Sequence, residues 1–377
     1  MPAQLKRPQH LASLTGLRFL AAANVLAFHF APHPSVVDLT NVPMLAYLAV
    51  LSGGASSVSL FFVLSGFVLA HRYLAEDGAF RGPRLTFWVA RVARVAPAYL
   101  LAYGLAIAWL LTHSGAELGP ALASLGLVQA WWGPVARVVN SPGWSLSVEM
   151  FFYGTFPFLA PTVFRLAQRR PRAVVLGLLL ASVPGPLAGG LANSEFWNQT
   201  ALNLPLLHLP SFLMGVATAA AFRASPDGGS RWTTLGEVLP TLGALCCLLL
   251  ISGVLPGPLV RDGALAPWFA LTVLRLARGG GWAARALGSR SMVSLGEASY
   301  ALYILQEPLW NWFGEQIGFT LFAMIAVGLS LATRRWLETW AGGLFRTVCV
   351  QLCLGAPRWR AGATTRLSGS LIGRTSR

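Results

Sequence analysis

A chain of 377 residues that is 55% hydrophobic and only 11% charged, with a mean hydropathy of +0.60 and 14 tryptophans, is too apolar for a soluble globule of its length. The net charge of +15 comes from arginines that flank apolar runs, which excludes the basic face of a soluble nucleic-acid-binding domain. Cys246 and Cys247 sit inside an apolar run and Cys349 and Cys353 near the C-terminus, with neither metal nor disulfide spacing.

Apolar runs of roughly 18 to 22 residues, long enough to cross about 30 Å of hydrocarbon as helix, recur from end to end. They lie near residues 13–31, 50–71, 92–112, 144–163, 174–191, 204–222, 235–255, 262–277, 292–312 and 317–334. The chain therefore reads as an all-α, polytopic membrane helix bundle of about ten transmembrane helices. A further run, 121–132, is too short to span comfortably and ends at Gly133 and Pro134. Arginines crowd the links at Arg72, Arg81, Arg84, Arg91 and Arg94, at Arg165, Arg169, Arg170 and Arg172, at Arg275, Arg278, Arg285 and Arg290, and from Arg334 onward. The positive-inside rule assigns those links to the cytoplasm. If 121–132 spanned, the RLAQRRPR link would be forced outside, so this run is expected to be re-entrant or interfacial, with both termini cytoplasmic.

Residues 1–10 begin like a signal peptide, but no small-residue cleavage site follows, so the first helix is expected to be retained. Residues 1–340 form the expected membrane domain. Residues 341–377, with Arg358, Arg360, Arg366, Arg374 and Arg377 and no acid from 354 on, are expected to be a disordered basic tail at the surface of anionic lipid.

The first helix, TGLRFLAAANVLAFH over 15–29, carries Arg18, Asn24 and His29 in an otherwise apolar run. Eleven residues complete about three turns, so Arg18 and His29 share a face about 16 Å apart along the axis. The plainer reading is that Arg18 snorkels at the helix start and His29 caps its end. In the second span, Ser65 and Gly66 interrupt large residues and let a neighbouring backbone approach closely. Arg91 and Arg94 then share a face at i and i+3, followed by Pro97 and Tyr99. Guanidinium forks there suit phosphate groups, though ordinary positive-inside charge explains them as well.

The turn at Asn140 to Gly143 leads into the fourth span, where Ser145, Glu149 and Tyr153 recur at i, i+4 and i+8. A carboxylate at that depth costs about 2 to 3 kcal/mol unless it meets a partner or a cavity. The first and fourth spans run in opposite senses, so His29 and Glu149 fall at similar depth, and Glu149 is the expected orienter of the His29 imidazole. In the ninth span Ser299, Tyr303 and Gln306 fall on one side, with Glu307 just beyond. Tyr300 and Tyr303 are either hydroxyl donors to a polar acceptor or packing residues.

The Arg18 to His29 helix, FFVLSGFVL, the Arg91, Arg94, Pro97 and Tyr99 pattern, WSLSVE before FFY, LHLPSFLMG over 207–215, LGEASYALYIL over 295–305 and RRWLET over 334–339 occur in this order. Over about residues 11–338 the chain thus resembles the integral-membrane acyltransferase 3 family, whose members transfer acyl groups, mostly acetyl, from cytoplasmic acyl-CoA to sugar hydroxyls. It departs from that pattern at Gln306, where many relatives have histidine, at Ser211, commonly acidic, and at Trp340, commonly proline.

The resemblance implies about ten spans in the cell membrane and an essential basic residue and histidine in the first helix, here Arg18 and His29. It implies no permanently bound cofactor, acyl-CoA as co-substrate and a sugar-containing acceptor. An alcohol needs a base as it attacks a thioester, and imidazole suits that task. His29 is the expected base, with Glu149 and Arg18 beside it in the catalytic set. Arg91 and Arg94, with Ser65 and Tyr99, are expected to hold the donor. Asn140, Ser145, Ser147, Tyr153, Tyr300 and Tyr303 are the expected contacts to the acceptor. Direct transfer is expected, an acyl-His29 intermediate being the alternative. The competing function is a transporter or flippase of a glycan or anionic lipid, with Arg, His and Glu lining its path.

Overall fold

The computed structural model describes residues 11–34, 42–185, 194–224, 265–279 and 281–338. These contain helices and no strand, apart from one isolated bridge between Leu74 and Phe80. In chain order the helices are α1 (Ala12–Phe30), α2 (Val42–Tyr73), α3 (Arg84–His113), α4 (Leu118–Leu125), α5 (Gly143–Arg169), α6 (Pro171–Ser182), α7 (Glu195–Asn203), α8 (Pro205–Ala224), α9 (Ala266–Arg278), α10 (Gly281–Leu287), α11 (Arg290–Leu309) and α12 (Phe319–Thr333). Among the described residues, four stretches, 12–30, 50–73, 84–113 and 195–224, are long and apolar enough to cross a bilayer. The expected span at 235–255, part of those at 174–191 and 262–277, and the tail at 341–377 lie outside the described residues.

Several helices outrun the apolar segments that announce them. α2 begins at Val42 where hydropathy marks 50, α3 at Arg84 where it marks 92, and α5 ends at Arg169 where it marks 163. Hydropathy finds the stretch that suits hydrocarbon, whereas helical hydrogen bonding continues into the interface as long as the backbone permits. The 121–132 run is divided between the eight-residue α4 and short 3₁₀ turns at Gln129–Trp131 and Gly133–Val135. At 1.5 Å per residue α4 covers about 12 Å, well short of a crossing.

α1 packs on α2 and α11, and α2 packs most extensively on α8, which also meets α5. Glycines make these approaches close. A Cβ at Gly66 of α2 would overlap the Phe212 carbonyl of α8, and one at Gly215 of α8 would overlap the Val63 carbonyl of α2. A Cβ at Gly296 of α11 would likewise overlap the Thr15 carbonyl of α1. Gly66→Val and Gly215→Val are each expected to cost about 1–3 kcal/mol by forcing the pair apart. Thermal unfolding in detergent checks this, and melts equal to wild type would show the crossing to be loose.

Prolines inside these helices leave carbonyls without their helical donor, and at Pro157 and Pro308 side chains from other elements supply it. Pro157 frees the Tyr153 carbonyl, which accepts from the Trp88 indole at 2.9 Å. Pro308 frees the Ile304 carbonyl, which accepts from the Asn140 amide at 3.0 Å. The C-terminal end of α2 is closed by the Arg223 guanidinium, which donates to the carbonyls of Ala70, His71, Leu74 and Ala75.

Candidate active site

Five helices enclose a cavity of about 150 Å³. α1 contributes Arg18, α2 Ser65, α3 Arg91 and Arg94, α5 Ser145, Glu149 and Tyr153, and α11 Ser299, Tyr300 and Tyr303. The i, i+4, i+8 spacing on α5 therefore delivers three side chains to one space, and the close α1–α11 and α2–α8 crossings bring the other walls within reach. Val58, Phe61, Phe62, Val68 and Leu69 make its apolar side.

Glu149 is the one carboxylate among the described residues that line this cavity. Its Oε1 accepts from Ser65 Oγ at 3.1 Å and from the Tyr153 hydroxyl at 2.5 Å. Arg18, Arg91 and Arg94 surround the same space. Arg91 donates to the Tyr73 hydroxyl at 3.3 Å and lies over the Tyr73 and Tyr153 rings, while its buried Nε has no partner among the described residues. Arg94 lies over the Tyr300 ring at 5.7 Å, and the Tyr300 hydroxyl donates to the Val95 carbonyl at 2.7 Å. Guanidinium is charged at any working pH, so Arg18, Arg91 and Arg94 bring positive charge to the wall of the cavity. That charge, in a low-dielectric surround, suits an anion.

A second cavity of about 50 Å³ is lined by His29 with Val25, Phe28, Gly54, Ala55, Arg137, Pro142, Trp144 and Leu202. Val58 and Tyr303 line both cavities, so the two adjoin across that pair. The Tyr303 hydroxyl is fixed there by Ser145 Oγ at 2.8 Å and the Pro142 carbonyl at 3.3 Å.

The structure corrects the expected pairing of Glu149 with His29. Glu149 is engaged by Ser65 and Tyr153 in the arginine cavity, and His29 lines the other one. Equal depth sets height along the bundle but not direction around it, and α1 has its main packing on α2 and α11, presenting Arg18 to the Glu149 cavity and His29 to the other.

Three other expected site residues line neither cavity. The Tyr99 hydroxyl donates to the Ser124 carbonyl at 2.5 Å and ties α3 to α4. Ser147 Oγ accepts from the Ala130 amide at 3.3 Å, which seats the 3₁₀ turn on α5. Asn140 serves the carbonyl that Pro308 frees. These are joints of the fold, with polarity spent on backbone. Gln306 is buried and its amide donates to the Tyr303 carbonyl at 2.9 Å, supporting that residue from behind.

Arg137 was not singled out by sequence reasoning. Its signal was a lone arginine in a link that the positive-inside bias places outside.

A family model described as an acyltransferase domain matches residues 11–352. The chain is 28% identical to the acyltransferase MdmB of Streptomyces mycarofaciens over 94% of this chain and 93% of that protein. It is 30% identical to the exopolysaccharide production protein ExoZ of Rhizobium meliloti over 86% of this chain and 95% of that one. It is also 26% identical to the O-acetyltransferase OatA of Staphylococcus aureus, over 47% of this chain and 28% of that protein. No solved structure matches it.

Proposed function

The chain belongs to the acyltransferase 3 family, and from that premise we propose that it carries an acyl group, acetyl in the first instance, from acyl-CoA to a sugar hydroxyl. The observation that carries this reading is the pair of adjoining cavities, one rich in arginine and one holding an imidazole, with Tyr303 on both walls. Arg91 and Arg94 lie within the first three turns of α3 and, with Arg18, meet the donor's phosphates. The acyl end of the pantetheine arm passes Tyr303 toward His29, which takes the proton of the incoming hydroxyl. The Arg-rich links support a cytoplasmic mouth for the arginine cavity, the side on which acyl-CoA is available. The acceptor is a hydroxyl of a surface glycan, a lipid-linked precursor or a glycosylated small molecule.

Purified full-length protein in detergent, given acetyl-CoA and a panel of glycans and glycosides, is expected to bind acetyl-CoA stoichiometrically and to release CoA only with a suitable acceptor. A transporter that transfers no acyl group releases none, and that result would overturn the proposal. Arg91→Gln and Arg94→Gln are each expected to raise the KM for acetyl-CoA about 10-fold or more, since a charged hydrogen bond contributes about 1.5–3 kcal/mol. With kcat held within a few-fold, this is a binding effect. An unchanged KM in both variants would place the donor elsewhere.

A further inference from the structure

The two cavities are strung along one face of α2. Ala55 and Val58 line the small cavity, and Val58, Phe61, Phe62 and Ser65 line the large one. Steps of three and four residues keep these side chains on one side of the helix, so the stripe from Ser65 to Ala55 runs about 15 Å along its axis. Among the described residues of α2, only Val58 lines both spaces, and it is buried. Its counterpart on α11 is Tyr303, which also lines both. The Phe61 ring, one turn along from Val58, meets the Tyr303 ring edge-on at 5.8 Å, so α2 and α11 face each other at this level. Tyr303 is held by its bonds to Ser145 and the Pro142 carbonyl, and the branched Val58 side chain has few rotamers to choose from.

The stripe ends one turn beyond Val58. A Cβ at Gly54 would overlap the Phe28 side chain and the Asn24 carbonyl of α1, so the two helices touch there and leave no room to extend the space along α2. What remains is about 50 Å³, with an apolar wall that includes Val25, Phe28, Ala55 and Val58 and with the His29 imidazole beside them. A water-sized group takes up about 10–15 Å³ of such volume, so about four fit. An acetyl group has three heavy atoms, and the attacking hydroxyl oxygen is the fourth. A butyryl group brings two more carbons, and a packed wall yields to extra methylenes only at a cost.

We propose that Val58 sets the acyl chain length this protein accepts, holding the small cavity to an acetyl group. This rests on the acyl-CoA reading above and deepens it. The methyl group of the donor lodges past Val58 in the apolar part of the small cavity, which leaves the thioester carbon level with His29. A longer chain meets α1 before its carbonyl arrives there. The selection acts on the reacting geometry, since a misplacement of about 1 Å costs about 10²-fold in rate. Trimming Val58 opens space on the path of the chain, and extending it closes that space.

The test compares kcat/KM for acetyl-, propionyl- and butyryl-CoA, read as CoA release in a fixed mixture of methyl glycosides with transfer to hydroxyl and to water counted alike. Full-length wild type, Val58→Ala, Val58→Ile and Val63→Ala are assayed side by side. Wild type is expected to use butyryl-CoA about 100-fold less well than acetyl-CoA, at about 10-fold or more for each added methylene. Val58→Ala is expected to raise the butyryl-to-acetyl ratio about 10-fold, and Val58→Ile to lower the propionyl-to-acetyl ratio about 10-fold. Val63 is fully buried on α2 and lines neither cavity, so Val63→Ala, with the same loss of two methyl groups, is expected to keep the wild-type ratios. A ratio does not depend on how much of each preparation is folded, which separates selection from stability. Wild type that uses the three donors alike, or a Val58→Ala ratio within 3-fold of wild type, would overturn the proposal and leave the acyl-CoA reading standing. No CoA release from any of the three donors would overturn that reading, and this inference with it.

Discussion

Replacing His29 by alanine is expected to lower kcat by about 10³-fold or more while leaving acetyl-CoA binding intact. A positioned base contributes about 10²–10⁴-fold, and an alcohol without one is a poor nucleophile toward a thioester near neutral pH. Among the described side chains that line the small cavity, His29 is the one that can serve as that base, the other polar groups being a guanidinium and a phenol. The separation from donor binding follows from geometry, since Arg18, Arg91 and Arg94 line the other cavity. The measurement is steady-state turnover together with equilibrium acetyl-CoA binding on the same preparation. The acid limb of the wild-type pH profile is expected to flatten in the variant, because an imidazole is the group that must lose its proton before it can accept one. If His29→Ala retains turnover within 10-fold of wild type, the side chain only ends a helix.

Glu149 is expected to behave in the opposite way, as a group whose loss is felt in folding first. In Glu149→Leu, Ser65 and Tyr153 lose their acceptor, and the cavity that Arg18, Arg91 and Arg94 line loses the Glu149 carboxylate. Glu149 is half-buried, and leaving its donors without an acceptor costs about 1–3 kcal/mol, which should appear as a drop in thermal stability in detergent. Glu149→Gln keeps a carbonyl oxygen for Ser65 and Tyr153 and is expected to fold. It also removes the negative charge from a cavity that receives an anion, so acetyl-CoA should bind at least as tightly as to wild type. Since Glu149 and His29 line different cavities, the pH profile of Glu149→Gln should keep the wild-type acid limb. A displaced limb would mean that the carboxylate acts on the imidazole after all. Stable Glu149→Leu protein would show that the arginines balance their charge some other way.

Much of this site could be read from residue order alone. Arg18 and His29 recur after three turns, and Ser145, Glu149 and Tyr153 after one and two, because helix periodicity converts spacing into a shared face. The cost of a charge in hydrocarbon then says that such a face meets a cavity or a partner. The same reasoning misassigned Tyr99, Ser147 and Asn140, because a polar side chain in a span serves a substrate or an orphaned backbone group with the same sequence signature. Asn140 shows the difficulty. Its partner is the Ile304 carbonyl, freed by Pro308 in a helix more than 160 residues away.

By itself, the sequence determined the helical class, the apolar segments, the family and most of the charged groups that face the interior, since all of these follow from local periodicity and from what hydrocarbon tolerates. Tertiary structure alone decided which groups meet. It placed Glu149 with Ser65 and Tyr153 instead of His29, set Tyr303 between two cavities, and brought Arg137 in beside the imidazole. The reason is rotational. Depth along a helix is written in residue number, but direction around the bundle depends on which helices pack together, and here glycines at 66, 215 and 296 make those choices through carbonyls far away in the chain.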